Sequence, residues 1–153
     1  MKRIASFQID HNKLKRGIYV SRIDGDVITY DIRMKEPNKG DYLENGALHT
    51  FEHLFATYLR NSSYAKSVIY IGPMGCRTGF YMILRDDVPK DEAIKLVRES
   101  FEFISEFTGD IPGASKSECG NYKEHDLTGA RRIAYEMQEV LTDWNEERLI
   151  YEK

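Results

Sequence analysis

Residues 47–60 place Leu48, Phe51, Phe55, Tyr58 and Leu59 at the spacing of a helix with one apolar face. The same window carries His49 and His53, with Glu52 immediately before the second. On a helix, positions i and i+4 lie one above the other. The two imidazoles can therefore aim at one point, and Glu52, three residues after His49, borders the same face. A transition metal needs this arrangement from one rigid element, and the carboxylate is left for proton transfer. His-x-x-Glu-His is also the inverted zinc-peptidase motif. With only four histidines in the chain, the pattern is seldom met by chance.

The segments around this helix read as an α+β fold. Residues 18–23 and 27–34 are strands joined by the Asp24-Gly25-Asp26 turn. In the second, Ile28, Tyr30, Ile32 and Met34 point one way, and Val27, Thr29, Asp31 and Arg33 form a polar face. Residues 5–10 alternate in part and read as a short strand or extended arm. Residues 67–71 and 80–84 are further strands, separated by a glycine-rich loop that carries Cys76. Pro89 opens a second helix, with Ala93, Leu96, Val97, Phe101, Ile104 and Phe107 on its apolar face. Thr128 or Asp126 caps a third helix running to about Trp144, with a last turn through Tyr151. Short connections favour antiparallel pairing. The expected architecture is one domain, residues 1–153, with an antiparallel sheet and helices packed on one face.

Composition narrows the function. A chain of 153 residues with 41% hydrophobic and 31% charged residues can bury a core of its own. The net charge of -3 gives no basic excess for a nucleic-acid partner. No apolar run reaches the length of a membrane span. The N-terminus lacks the apolar stretch of a signal peptide, so the cytoplasm is expected. Cys76 and Cys119 are too few for a disulfide framework and read as thiols, thiolates or metal ligands.

Two histidines need at least a third ligand. Cys76, Cys119, His125, His11 and a distant carboxylate are all candidates. Both cysteines together would close a structural Cys2His2 site; one alone would leave a position for water or substrate. Spacing does not separate these cases.

Several segments together resemble one family. They are Ser6-Phe7 with Asp10-His11-Asn12; Asp31-Ile32-Arg33 followed by Pro37-Asn38-Lys39; His49-Thr50-Phe51-Glu52-His53-Leu54; residues 73–81 around Cys76; and Cys119-Gly120 followed by His125-Asp126-Leu127 and Gly129-Ala130. In this order and spacing the chain resembles the S-ribosylhomocysteine lyases of the LuxS family. The resemblance implies cleavage of S-ribosylhomocysteine to homocysteine and 4,5-dihydroxypentane-2,3-dione, the autoinducer-2 precursor of quorum sensing, with homocysteine returned to the methyl cycle. It implies His49, His53 and Cys119 as ligands of one divalent metal per subunit, natively Fe2+, with Zn2+ or Co2+ able to replace it. Glu52 and Cys76 match the general acid-base residues. Ser6, His11 and Arg33 match substrate-binding residues that reach the partner's site in a homodimer with active sites at the interface. His125 is given a structural or ligand-supporting role. The chain departs from the family after about Ile133, and Tyr70 stands where a more polar residue is expected. The competing readings are a small metallopeptidase with Glu52 activating water, and a structural zinc protein.

Overall fold

Four antiparallel strands form the centre of the molecule. The computed structural model describes residues 1–152. β1 (Gly17–Asp24) turns through Gly25, in the left-handed region at φ 60°, into β2 (Val27–Arg33). After the helix α2 (Asn45–Arg60), β3 (Val68–Pro73) and β4 (Gly79–Arg85) make a second hairpin. The strand order is β1-β2-β4-β3, with every neighbouring pair antiparallel. The hairpins thus join through β2 and β4, the two central strands.

Helices α2, α3 (Lys90–Glu106) and α4 (Leu127–Val140) cover one face, as the α+β expectation required. Ile28, Tyr30 and Ile32 from β2 and Phe80, Met82 and Leu84 from β4 alternate onto that side and are buried. Phe51 of α2 meets Phe80 and Phe101 with ring centroids 5.2 Å away in each case. Each such aromatic or aliphatic side chain contributes about 1.5–3 kcal/mol through burial. The apolar stripe of α2 is spent on this core, which turns His49, Glu52 and His53 away from it, all three half-buried.

Two expectations are corrected. Residues 5–10 do not form a strand. They pair with no strand of the sheet, and Ala5–Gln8 make a single helical turn, α1, with no buried residue. The third helix stops at Val140, short of Trp144. Arg98 of α3 binds the carbonyls just past the end of α4, donating to Leu141 O at 2.8 Å, Thr142 O at 3.1 Å and Trp144 O at 2.7 Å. The chain then wraps around the β1 edge through a short 3-10 turn, Glu146–Leu149.

That wrap changes the polar face of β2. Trp144 donates Nε1–H to Ile18 O at 2.9 Å, and its ring fills the space a side chain on Gly17 would take. Tyr151 stacks on Tyr19, centroids 5.0 Å apart, and donates its hydroxyl proton to Asp31 Oδ2 at 2.7 Å. Asp31 and Arg33 are consequently 1% and 2% exposed, not half-solvated. Arg33 sits in register between Gly17 and Gly79. A Cβ at Gly79 would lie 2.2 Å from Ile32 O, so only glycine fits there.

Candidate metal centre and the cavity around Cys76

α2 supplies two imidazoles and the loop before α4 supplies the rest. Cys119 Sγ lies 3.4 Å from His49 Nε2, 3.9 Å from His53 Nε2 and 3.8 Å from His125 Nε2. All four ligand atoms lie within 4.8 Å of one another. A tetrahedral ion bound at ordinary metal–nitrogen and metal–sulfur lengths requires nitrogen–sulfur edges of about 3.6 Å. The donor set and its spacing therefore fit one metal ion.

The loop is zipped onto α2 residue by residue. Glu124 O accepts from His49 Nδ1 at 2.8 Å, His125 Nδ1 lies 2.9 Å from Thr50 Oγ1, and the Asp126 amide donates to Thr50 Oγ1 at 2.9 Å and to Gly46 O at 3.1 Å. Asp126 then accepts from the Gly129 amide at 3.0 Å and caps α4, as one of the two candidate caps predicted. On the other side, His53 Nδ1 donates to Pro112 O at 2.8 Å. A Cβ on the next residue, Gly113, would press on that ring at 3.3 Å, and its φ of 68° suits glycine.

These contacts sort the histidines. A carbonyl only accepts, so His49 and His53 carry their proton on Nδ1 and present an Nε2 lone pair to the centre. His125 faces a hydroxyl, which can donate or accept, so its tautomer is not held in the same way. Burial, then the charges of His49 and His53, lower the His125 pKa from its ordinary value. His125, one of the candidate third ligands and a supporting residue on the family resemblance, joins the cluster, with its ring stacked on His49 at 4.0 Å. Glu52 lies on the same face of α2, next to His53.

Cys76 is elsewhere. It is exposed at the β3–β4 turn and opens on a cavity of about 420 Å3, lined by Ser6, His11, Arg33, Tyr81 and others, with none of the cluster residues among them. The four residues expected around a substrate carbon chain thus meet in one chain, and the ligands and Glu52 meet in the same chain, but the two groups do not share a cavity. A Cys2His2 site using both cysteines does not form. His11 Nδ1 donates to Ile9 O at 2.9 Å, leaving Nε2 free. Next to Cys76, Arg77 holds a left-handed backbone at φ 60° and is pinned to Leu43, whose amide donates to Arg77 O at 2.9 Å.

Arg33 is largely committed beneath this cavity. Its Nη2 and Nε donate to the two Asp31 oxygens at 2.7 and 3.2 Å, and Nη1 donates to Thr78 Oγ1 at 2.7 Å. Burial works against its charge, but the Asp31 carboxylate more than offsets this and the pKa is raised. Burial, then the Asp31 charge, also pushes the Tyr81 and Tyr151 phenols above their ordinary range.

The model of the S-ribosylhomocysteinase (LuxS) family matches residues 4–148. The chain belongs to this family. It is 50% identical to the S-ribosylhomocysteine lyase of Desulfotalea psychrophila, with 99% of each chain covered. It is 48% identical to that of Phocaeicola vulgatus, covering 99% of this chain and 98% of the relative, and 45% identical to that of Clostridium acetobutylicum, with 99% of each covered.

Proposed function

We propose that the chain is a metal-dependent carbon–sulfur lyase that splits S-ribosylhomocysteine into homocysteine and 4,5-dihydroxypentane-2,3-dione. The observation that carries this reading is the His49–His53–Cys119 cluster, with both imidazoles oriented by carbonyls, in a member of a lyase family. His49, His53 and Cys119 hold one divalent ion. His125, whose Nδ1 meets a hydroxyl, supports the loop from within the cluster. The ion, when bound, polarises sugar oxygens as a Lewis acid; Fe2+ is the native ion on the family resemblance, and Zn2+ or Co2+ suits the same donors.

The chain's own residues move the protons. Shifting the carbonyl from C1 to C2 takes a proton from C2 and returns one to C1; the next shift takes one from C3 and returns one to C2. With the carbonyl at C3, loss of the C4 proton expels the homocysteine sulfur from C5, and that sulfur takes up a proton. Glu52 and Cys76 form the acid-base pair for these transfers, one from each side of the carbon chain. Ser6, His11 and Arg33 bind the substrate beside Cys76. Three of the five Arg33 N–H groups are used internally, which leaves two for substrate oxygens.

The protein acts as a homodimer in which the Cys76 cavity of one subunit faces the metal centre and Glu52 of the other. The separation of these two groups within one chain supports that arrangement. No helix is long and apolar enough to cross a membrane, and we place the enzyme in the cytoplasm, making the autoinducer precursor and returning homocysteine to the methyl cycle. Incubation of metal-loaded protein with S-ribosylhomocysteine, followed by a free-thiol assay, is the test. Stoichiometric thiol release is expected; none from fully metal-loaded dimer refutes the lyase reading. A metallopeptidase would instead cleave peptides at Glu52-dependent rates.

A further inference from the structure

Thr78 is 1% exposed and has no part in the chemistry described above. Its hydroxyl lies between two groups, 2.7 Å from Arg33 Nη1 and 3.0 Å from Cys76 Sγ. A guanidinium only donates, so Thr78 Oγ1 accepts from Arg33. The contact to Cys76 can run in either sense while the sulfur is a thiol; a thiolate only accepts, and toward it the hydroxyl is the donor. Behind Arg33, Asp31 accepts two N–H groups and the Tyr151 hydroxyl, so the guanidinium cannot turn away. Position therefore passes along the row: Asp31 fixes Arg33, Arg33 occupies one lone pair of Thr78, and the Thr78 hydroxyl is held at hydrogen-bond distance from the sulfur, as the donor when that sulfur is a thiolate.

We propose that Thr78 is a positioning residue that relays the buried Arg33–Asp31 pair to Cys76 and holds the sulfur as a hydrogen-bond acceptor. An O–H donated to sulfur favours the thiolate over the thiol, because the thiolate is the better acceptor. It also fixes the direction in which the sulfur's remaining lone pairs face the cavity. Arg33 then acts on Cys76 without touching it, which is why its guanidinium can be buried and still matter at an exposed cysteine. The effect on turnover rests on Cys76 being a proton carrier, as proposed above; the effect on sulfur reactivity does not.

The test is the rate of iodoacetamide alkylation at Cys76, read by mass spectrometry of the Cys76 peptide in the metal-loaded protein under mildly acidic conditions. Thr78→Val and Thr78→Ala remove the hydroxyl, the second with less demand on space; Thr78→Ser keeps it. Removing the hydroxyl takes away the donor that holds and stabilises the reacting sulfur, an effect of about three- to tenfold for one hydrogen bond. The expected result is a fall of roughly three- to tenfold in both hydroxyl-less variants and near-parent rates in Thr78→Ser, with metal content unchanged. Parent-like alkylation in folded Thr78→Val or Thr78→Ala overturns the proposal, as does an equal fall in Thr78→Ser. Homocysteine release is measured alongside. If alkylation slows as expected but the parent enzyme releases no thiol, the relay stands and the lyase reading falls.

Discussion

Asp31→Asn is the sharpest probe of the pair beneath the Cys76 cavity. The structure contains its own control. Asp31–Arg33 and Arg22–Asp24 are both pairs two residues apart on a strand, at 2.7 and 2.6 Å. Distance therefore predicts similar effects. Burial does not, because the side chains of the first pair are 1% and 3% exposed and those of the second 51% and 56%. Removing the Asp31 charge leaves a guanidinium uncompensated in a low-dielectric site, a loss of about 3–5 kcal/mol. It also turns an amide N–H₂ toward donors, either the Tyr151 hydroxyl or Arg33 itself. For a chain of this length each kcal/mol moves Tm by about 2–4 °C, so a fall of roughly 6–20 °C is expected. Asp24→Asn should leave stability within error of the parent, since exposed pairs are screened by water. Replacing both partners, Asp31→Leu with Arg33→Met, should recover much of the loss while abolishing the contact to Thr78. Urea melts of the metal-loaded parent and the three variants at one fixed concentration measure these effects, because subunit association adds to stability. A loss below about 1 kcal/mol in Asp31→Asn would show that the pair is solvated.

The remaining expectations concern the site and the alkaline limb. Cys119→Ala should lose tightly bound metal on dialysis while Cys76→Ala retains it and loses thiol release; metal retention in Cys119→Ala would remove that residue from the ligand set. Mixing the inactive Cys76→Ala and His53→Ala proteins under exchange conditions should restore about a quarter of parent activity, since half the dimers are mixed and one of their two sites is intact; sites confined to one chain would restore none. Burial, with the Glu146 charge, raises the Tyr30 pKa from 10.0 to about 12, and Tyr151 moves the same way. The folded state thus keeps protons that the unfolded chain sheds, so stability is full below pH 10 and falls as pH rises through about 12. Tyr30 Oη is buried without a hydrogen-bond partner among the described residues, so Tyr30→Phe should hold or raise the urea midpoint at neutral pH and flatten the alkaline fall. A steeper fall in the variant would contradict that linkage.

Local signals carried much of the fold. Apolar periodicity marked α2 and α3, and the Asp24-Gly25-Asp26 turn with its flanking alternation marked the first hairpin. What escaped was cover supplied from far along the chain. The alternation of β2 correctly put Asp31 and Arg33 on one face, but nothing within residues 27–34 shows that Tyr151, 120 positions away, closes over them. Arg98 ending α4 is a similar case, a contact across 43 positions that no C-terminal glycine announced.

The site shows the same division more closely. His49 and His53 were legible as a pair because helix spacing alone aligns them. Their readiness as ligands is not a property of that spacing; it comes from Glu124 O and Pro112 O, which hold the proton on Nδ1. His125 presents the same side chain at the same cluster, but Thr50 Oγ1 stands where the others have a carbonyl. Likewise Cys76 and Cys119 are both loop cysteines near glycine, and their neighbours divide them: one faces three imidazole nitrogens, the other a hydroxyl backed by a buried cation. Residue type set what each group could do. The atom bonded to its far side decided which of those things it does, and those atoms belong to segments that only the fold brings near.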